Sequence, residues 1–193
     1  MMNMTKKTSP SHIFVPETIT KNGKTFQIVK LGPNCFDFAP YSEIHLPKTV
    51  REIEWCFYDC KHLVDIFVDA ENQHFKHIDG VLFNKDATEL VTFPNARLGK
   101  YTIPEGTQRI SHFAFKTSRI KTLHIPASVM EIGDNVFYDC RLHDIYFDGR
   151  ESWDDIKIGP MFSFNPHNYS NPRCHFGDKI ICLQDWLRSI YPE

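Results

Sequence analysis

Large apolar residues recur along this chain in a fixed frame. Five segments, YSEIHLP (41–47), LVDIFVD (63–69), LGKYTIP (98–104), IKTLHIP (120–126) and LHDIYFD (142–148), carry apolar or aromatic residues at their first, fourth and sixth places. Successive segments begin 22, 35, 22 and 22 residues apart, so the odd step is one period plus 13. Apolar residues two apart, such as Leu123 and Ile125, suit one buried face of a strand. Pro126 then ends ladder bonding, which keeps the strand short. In the clearest unit, IKTLHIPASVMEIGDNVFYDC (120–140), Val129, Ile132 and Phe137 return the chain across the other side of a core. The columns repeat: Ile110 and Ile132, Phe115 and Phe137, Ile28 and Val50, and Leu31 and Ile53 are each 22 apart. Phe36 and Phe57 are 21 apart, so one residue is missing between Ile53 and Phe57. A single unit cannot bury its own apolar side and must stack on neighbours. The pattern therefore predicts a mostly β repeat solenoid. Residues 44–46, 66–68, 101–103, 123–125 and 145–147 should lie side by side as parallel strands on its concave face.

The 13 extra residues fall within 69–97. There DGVLF and ELVTF flank the turn-prone NKDAT, which reads as an inserted hairpin. Near the start, ETIT and TFQIV flank KNGK, and Asn22-Gly23 is a strong signal for a tight hairpin turn. That hairpin is expected to cover the first open sheet edge, as a terminal cap should. The 22-residue pattern stops after Phe147. The Pro-, Asn- and Ser-rich stretch that follows reads as loop with short extended pieces. ICLQDWLRSIYPE predicts a closing helix, with Leu183, Trp186, Leu187 and Ile190 on one face and Pro192 ending it. The expected division is a disordered 1–12, a capping hairpin and partial repeat over 13–40, the repeats over 41–148, and a C-terminal cap over 149–193.

The string IPASVMEIGDNVFYDC (125–140) resembles the leucine-rich repeat of the BspA type. TIPEGTQRISHFAF (102–115) and LPKTVREIEWCFYDC (46–60) are weaker copies. DGVLFNKDATELVTFP, ITKNGKTFQIVKLGPNCF and DGRESWDDIKIG are also similar to pieces common in that family, so the resemblance covers roughly residues 13–158. It implies a right-handed solenoid of short strands, no cofactor and a protein-binding role. Many members of that family are exported or surface-bound, and some serve in cell adhesion.

Composition sharpens this picture. The 16 Phe have a place, since one large ring can fill the convex side of each turn. A net charge of −2 without a basic block leaves no phosphate-neutralising stripe, which excludes a nucleic-acid binder. No apolar run approaches the ~20 residues of a membrane span. The opening MMNMTKKTSPSHIFVPE has no apolar run behind its lysines, so a cytoplasmic location is expected, against the export common in the resembled family; the chain is expected to be a monomer. Cys35, Cys56, Cys60, Cys140, Cys174 and Cys182 read as free buried thiols, because disulfide frameworks belong mainly to small secreted domains.

Side chains alternate along a strand, so residues between the inward ones point outward. The fifth places give His45, Phe67, Thr102, His124 and Tyr146. The third places give Glu43, Asp65, Lys100, Thr122 and Asp144. A ring-bearing column beside a mostly acidic one is thus the candidate surface for a protein or peptide partner. Stacked rings also support one another within a sheet, which accounts equally well for the column. Five strands offer a face on the order of 300 Å², against about 800 Å² per partner in a standard interface. Neighbouring loops must therefore contribute. Adhesion to a matrix protein or glycan is the alternative reading, and an enzyme using Cys174, His175 and Cys182 is a remote third. Cys56, Cys60 and His62 lack a second closely spaced pair for zinc, and Asp154-Asp155 reads as solvent-facing. No metal or cofactor is expected.

Overall fold

The computed structural model describes residues 12–159 and 171–185. Of the disorder expected over residues 1–12, residues 1–11 lie outside these, while His12 is already in a strand paired with Glu43; most of the closing helix also lies outside, although residues 183–185 are helical. The repeat frame is realised as coils with a front strand and a shorter second-side strand. Front strands Glu43–Leu46, Asp65–Val68, Thr122–Ile125 and Asp144–Phe147 alternate half-buried and buried residues. Leu123 and Ile125 pair in parallel with Ile145 and Phe147, and Ile44 pairs with Ile66. On the second side, Glu89–Thr92, Arg109–Ile110, Glu131–Ile132 and Lys157–Ile158 form a parallel ladder. Phenylalanines fill the loops beyond it: Phe93, Phe115 and Phe137 follow one another at ring separations of 5.0 and 5.9 Å.

The front face is not one sheet of five strands. It is split into a block of His12–Phe14, Glu43–Leu46 and Asp65–Val68, and a block of Lys100–Thr102, Thr122–Ile125, Asp144–Phe147, Arg173–Phe176 and Lys179–Cys182. Residues 66–68 and 101–103 are therefore not paired neighbours, contrary to expectation. The insertion causes the split. Phe75–Ile78 and Val81–Asn84 form a hairpin through Asp79 and Gly80, both left-handed at φ 47° and 70°. Gly80 O accepts from Ile66 N at 2.8 Å, and His77 Nδ1 accepts from Val68 N at 3.0 Å. The open edge of Asp65–Val68 is thus already satisfied by the insert. The next front strand starts a new block, and Leu98, in the frame of buried Leu63 and Ile120, is left 66% exposed.

The same hairpin stands between two cores. Val81, Leu82 and Phe83 are all fully buried. Val81 and Phe83 join the core of the second block while Leu82 joins that of the first. A strand buried on both faces reads as a continuous apolar run, which is what DGVLF is.

The Asn22-Gly23 hairpin forms as expected, with Thr18–Lys21 paired to Lys24–Gln27. Every residue of its strands is exposed, and it makes a two-stranded sheet of its own. It does not cover the first sheet edge. His12–Phe14 occupies that position, pairing in parallel with Glu43–His45, because Ile13 and Val15 supply the core-facing residues that the hairpin lacks. At the other end both ladders continue past Phe147, at steps longer than 22. Lys157 pairs with Glu131, Cys174 with Ile145, and His175 with Tyr146. Phe176 stacks on Phe147 at 4.6 Å, with Trp153 against both rings. No helix among the described residues is long and apolar enough to cross a membrane.

Candidate functional site

Alternation along the front strands places the fifth-place residues on the face away from the core. The register brings His45 beside Phe67, Thr102 beside His124, and His124 beside Tyr146. The column is broken between Phe67 and Thr102, as the sheet is. In the first block, Phe14, His45 and Phe67 stack at ring separations of 4.2 and 4.9 Å, and His77 of the insert meets Phe67 edge-on at 5.3 Å. In the second, His124, Tyr146 and His175 stack at 4.6 and 4.1 Å. Phe14, His77 and His175 were not among the residues read from the repeat frame. Phe14 and His175 lie on the terminal coils where the spacing leaves 22 residues, and His77 lies in the insertion. In the first block the column borders a hollow of about 320 Å³, with Phe14, His45, Phe67 and Leu46 on its walls.

The third-place row is less acidic in effect than its composition suggests. Asp65 is paired with Arg97, which also donates to Val64 O at 2.7 Å and to Asp79 O. Asp144 accepts from Arg173 Nε at 2.8 Å and lies 2.8 Å from His175 Nε2. Glu43 lies 3.5 Å from His45. Lys100 and Thr122 share the row with Asp144 and Arg173, so the second block alternates in charge. The expected acidic column is therefore compensated, because Arg97 and Arg173 come from segments that the strand frame does not include.

Burial by itself would raise the Asp144 pKa, but the bonds from Arg173 and His175 prevail and hold it below its ordinary value. A carboxylate depressed on folding contributes stability that is complete above its unfolded pKa and is lost as pH falls through its folded pKa. Asp144→Asn should therefore lower stability at neutral pH. Its deficit relative to wild type should shrink between about pH 5 and pH 2. Urea titrations at several pH values check this, and a deficit constant down to pH 2 would refute it.

Of the candidate catalytic group Cys174, His175 and Cys182, the described residues do not bring Cys174 and His175 together. Cys174 faces the core while His175, next to it, faces outward, so the two cannot act as a nucleophile and its base. Burial pushes the thiols of Cys60 and Cys140 up to about 12 and raises that of Cys174 as well. The expectation of six buried thiols holds for four; Cys35 is exposed and Cys182 half-buried. Cys60 Sγ donates to Phe36 O at 3.0 Å, which ties the coils together. Asp154 and Asp155 are exposed. Among the described residues no cluster of three or more His, Cys, Asp or Glu is placed to hold a metal ion.

Comparison with known proteins bears on what such a scaffold is. A family model described as "BspA type Leucine rich repeat region" matches in six copies, over residues 16–96 and 86–165. The chain is similar to the crystal structure of a leucine-rich repeat protein from Eubacterium ventriosum, at 26% identity and a TM-score of 0.61. That match covers 68% of this chain and 35% of the other, so this chain spans only about a third of that protein. It is also similar to the pneumococcal vaccine antigen PcpA, at 14% identity and a TM-score of 0.39, covering 79% of this chain and 69% of that one. A leucine-rich cell surface protein from Faecalibacterium prausnitzii is similar at 15% identity and a TM-score of 0.38, covering 71% and 69%. No curated protein sequence matches the chain.

Proposed function

This chain belongs to the BspA-type leucine-rich repeat family, and from that premise we propose that it is a peptide- or protein-binding module that uses its front face. The solenoid of this family is a fold typically used for protein and peptide interactions. The observation that carries the reading is the hollow of about 320 Å³ beside Phe14, His45 and Phe67. Its volume lies at the lower end of ordinary ligand sites, and aromatic anchors dominate interface energies. Phe14 is 64% exposed although stacked on His45, so ring support within the sheet leaves most of its surface free. The second block offers Thr102, His124, Tyr146 and His175 as a separate track with Lys100 and Asp144 along its side, while Glu43 and Asp65 flank the rings of the first block.

The test is retention of a peptide array by wild type and by Phe67→Ala plus Tyr146→Ala, with a glycan array run in parallel. The double variant should lose at least about tenfold in apparent affinity for any peptide retained. Unchanged retention with folding intact would reject this face. Retention on glycans instead, lost in the double variant, would favour the adhesion reading.

A further inference from the structure

We infer a second binding site, distinct from the front face: the cleft between residues 53–58 and 111–116, built to take an extended peptide segment bearing an Arg or Lys side chain. After each second-side strand the chain makes a loop, and backbone bonds tie these loops in pairs. The N–H groups of Asn34, Phe36 and Phe38 donate to Trp55 O, Cys56 O and Tyr58 O at 3.1, 3.0 and 2.9 Å. Those of Phe113, Phe115 and Thr117 donate to Asp134 O, Val136 O and Tyr138 O at 3.0, 3.0 and 2.9 Å. The coil between the pairs is the one that spends its residues on the inserted hairpin, and its loop after Thr92 is short. A cleft of about 690 Å³ is left where that loop would stand, and none of its lining residues belongs to a front strand.

The cleft presents unfinished ladder bonds. The N–H groups of Trp55 and Phe57, which correspond to Asn34 and Phe36 one coil earlier, make no backbone hydrogen bond among the described residues. The third of the set, Asp59 N–H, is taken by Thr117 Oγ1 at 3.2 Å. Asn95, 4% exposed, gives its Nδ2 to Lys116 O at 2.6 Å and to Thr117 Oγ1 at 3.0 Å, while its Oδ1 has no partner. Free donors together with a free acceptor call for a ligand that alternates C=O and N–H, as peptide backbone does when it adds to a sheet edge. Trp55 stacks on Phe113 at 5.6 Å yet stays 64% exposed, an anchor of the kind found at interface centres.

Charge selects the side chain. Asp37, Glu54 and Asp134 line the cleft against one lysine, Lys116. Glu54 is bonded to Lys30 at 2.5 Å and Asp134 to His112 at 3.2 Å, but such partly exposed pairs are weak and exchangeable. Lys116 shows that a cation can be seated here against the cost of burial, which lowers its pKa: its Nζ lies over the rings of Tyr58 and Phe113 in the cleft wall, and of Tyr138 behind them, at 4.2, 4.9 and 5.4 Å.

The probes are three end-blocked, fluorescein-labelled nonapeptides: alternating Val and Arg, alternating Val and Glu, and the Val/Arg peptide N-methylated at every second residue. Anisotropy titrations should show the Val/Arg peptide binding, with the other two at least about tenfold weaker. Trp55→Ala should weaken the Val/Arg peptide about tenfold. Asp37→Asn keeps an acceptor for Tyr58 N–H, which bonds Asp37 Oδ1 at 2.8 Å, and should still weaken binding severalfold. Phe67→Ala plus Tyr146→Ala should leave it unchanged, which separates this site from the front face. Thermal unfolding confirms that each variant folds. No binding to about 1 mM, equal binding of the Arg and Glu peptides, no effect of N-methylation, or indifference to Trp55→Ala would each overturn the inference. So would glycan retention that depends on Trp55 in place of peptide binding.

Discussion

Phe147→Ala is expected to lower unfolding stability by about 3–5 kcal/mol, the range for truncating a fully buried aromatic. Phe147 is 1% exposed, and its ring lies 4.2 Å from Trp153 and 4.6 Å from Phe176. Those rings belong to the last coil, whose spacing departs from the repeat, so Phe147 is the seat on which the irregular end is packed. In a solenoid each coil contacts only its neighbours. Hydrogen exchange in the variant should therefore accelerate in Thr122–Ile125 and Arg173–Phe176 before Glu43–Leu46. Phe14→Ala, at an exposed edge, should change stability by no more than about 1 kcal/mol. Urea unfolding measures both, and a loss under about 1 kcal/mol for Phe147→Ala would contradict the role assigned to this ring.

The second large effect is expected from a polar residue. Asn72 is fully buried and holds four backbone groups: its Nδ2 donates to Pro47 O at 3.0 Å and Val50 O at 2.8 Å, and its Oδ1 accepts from His74 N and Phe75 N at 2.8 Å each. It fastens the start of the inserted hairpin to the preceding coil. Asn72→Ala would strand Val50 O and two N–H groups, each costing about 1–3 kcal/mol where water cannot reach, and would leave Pro47 O only its long bond from Val50 N at 3.4 Å. The N–H groups belong to less buried residues and can be rehydrated, so a net loss of about 3 kcal/mol is expected. Asn72→Asp should also destabilise, because it sets a carboxylate oxygen against the Pro47 and Val50 carbonyls while keeping the acceptor side. If Asn72→Asp matched wild type in a denaturant titration, the two carbonyl bonds would carry no weight.

Much of this was legible in the chain itself. The period of 22 fixed which residues face inward: Ile44, Ile66, Leu123 and Ile145 are all fully buried, at the places the frame assigns. That information is local, because alternation along a strand and a proline to stop it need no knowledge of partners. The Asn22-Gly23 turn was legible for the same reason: left-handed φ values of 52° and 72° are a property of those two residues. Pairing across the insertion was not legible. Whether Asp65–Val68 would meet Lys100–Thr102 depended on competition for one row of N–H groups, and Gly80 O and His77 Nδ1 take it. Nor could composition show that Arg97 and Arg173 would neutralise the acidic row, since neither lies in the repeat frame.

The order of residues thus determined the coil, its inward spine and its outward rings, because each follows from contacts within one period. The tertiary structure alone decided where the stack is interrupted, which strands end it, and that a cleft opens beside Trp55. Those features depend on which of several available backbone edges a segment reaches, and that is settled only when distant parts of the chain compete for the same hydrogen bonds.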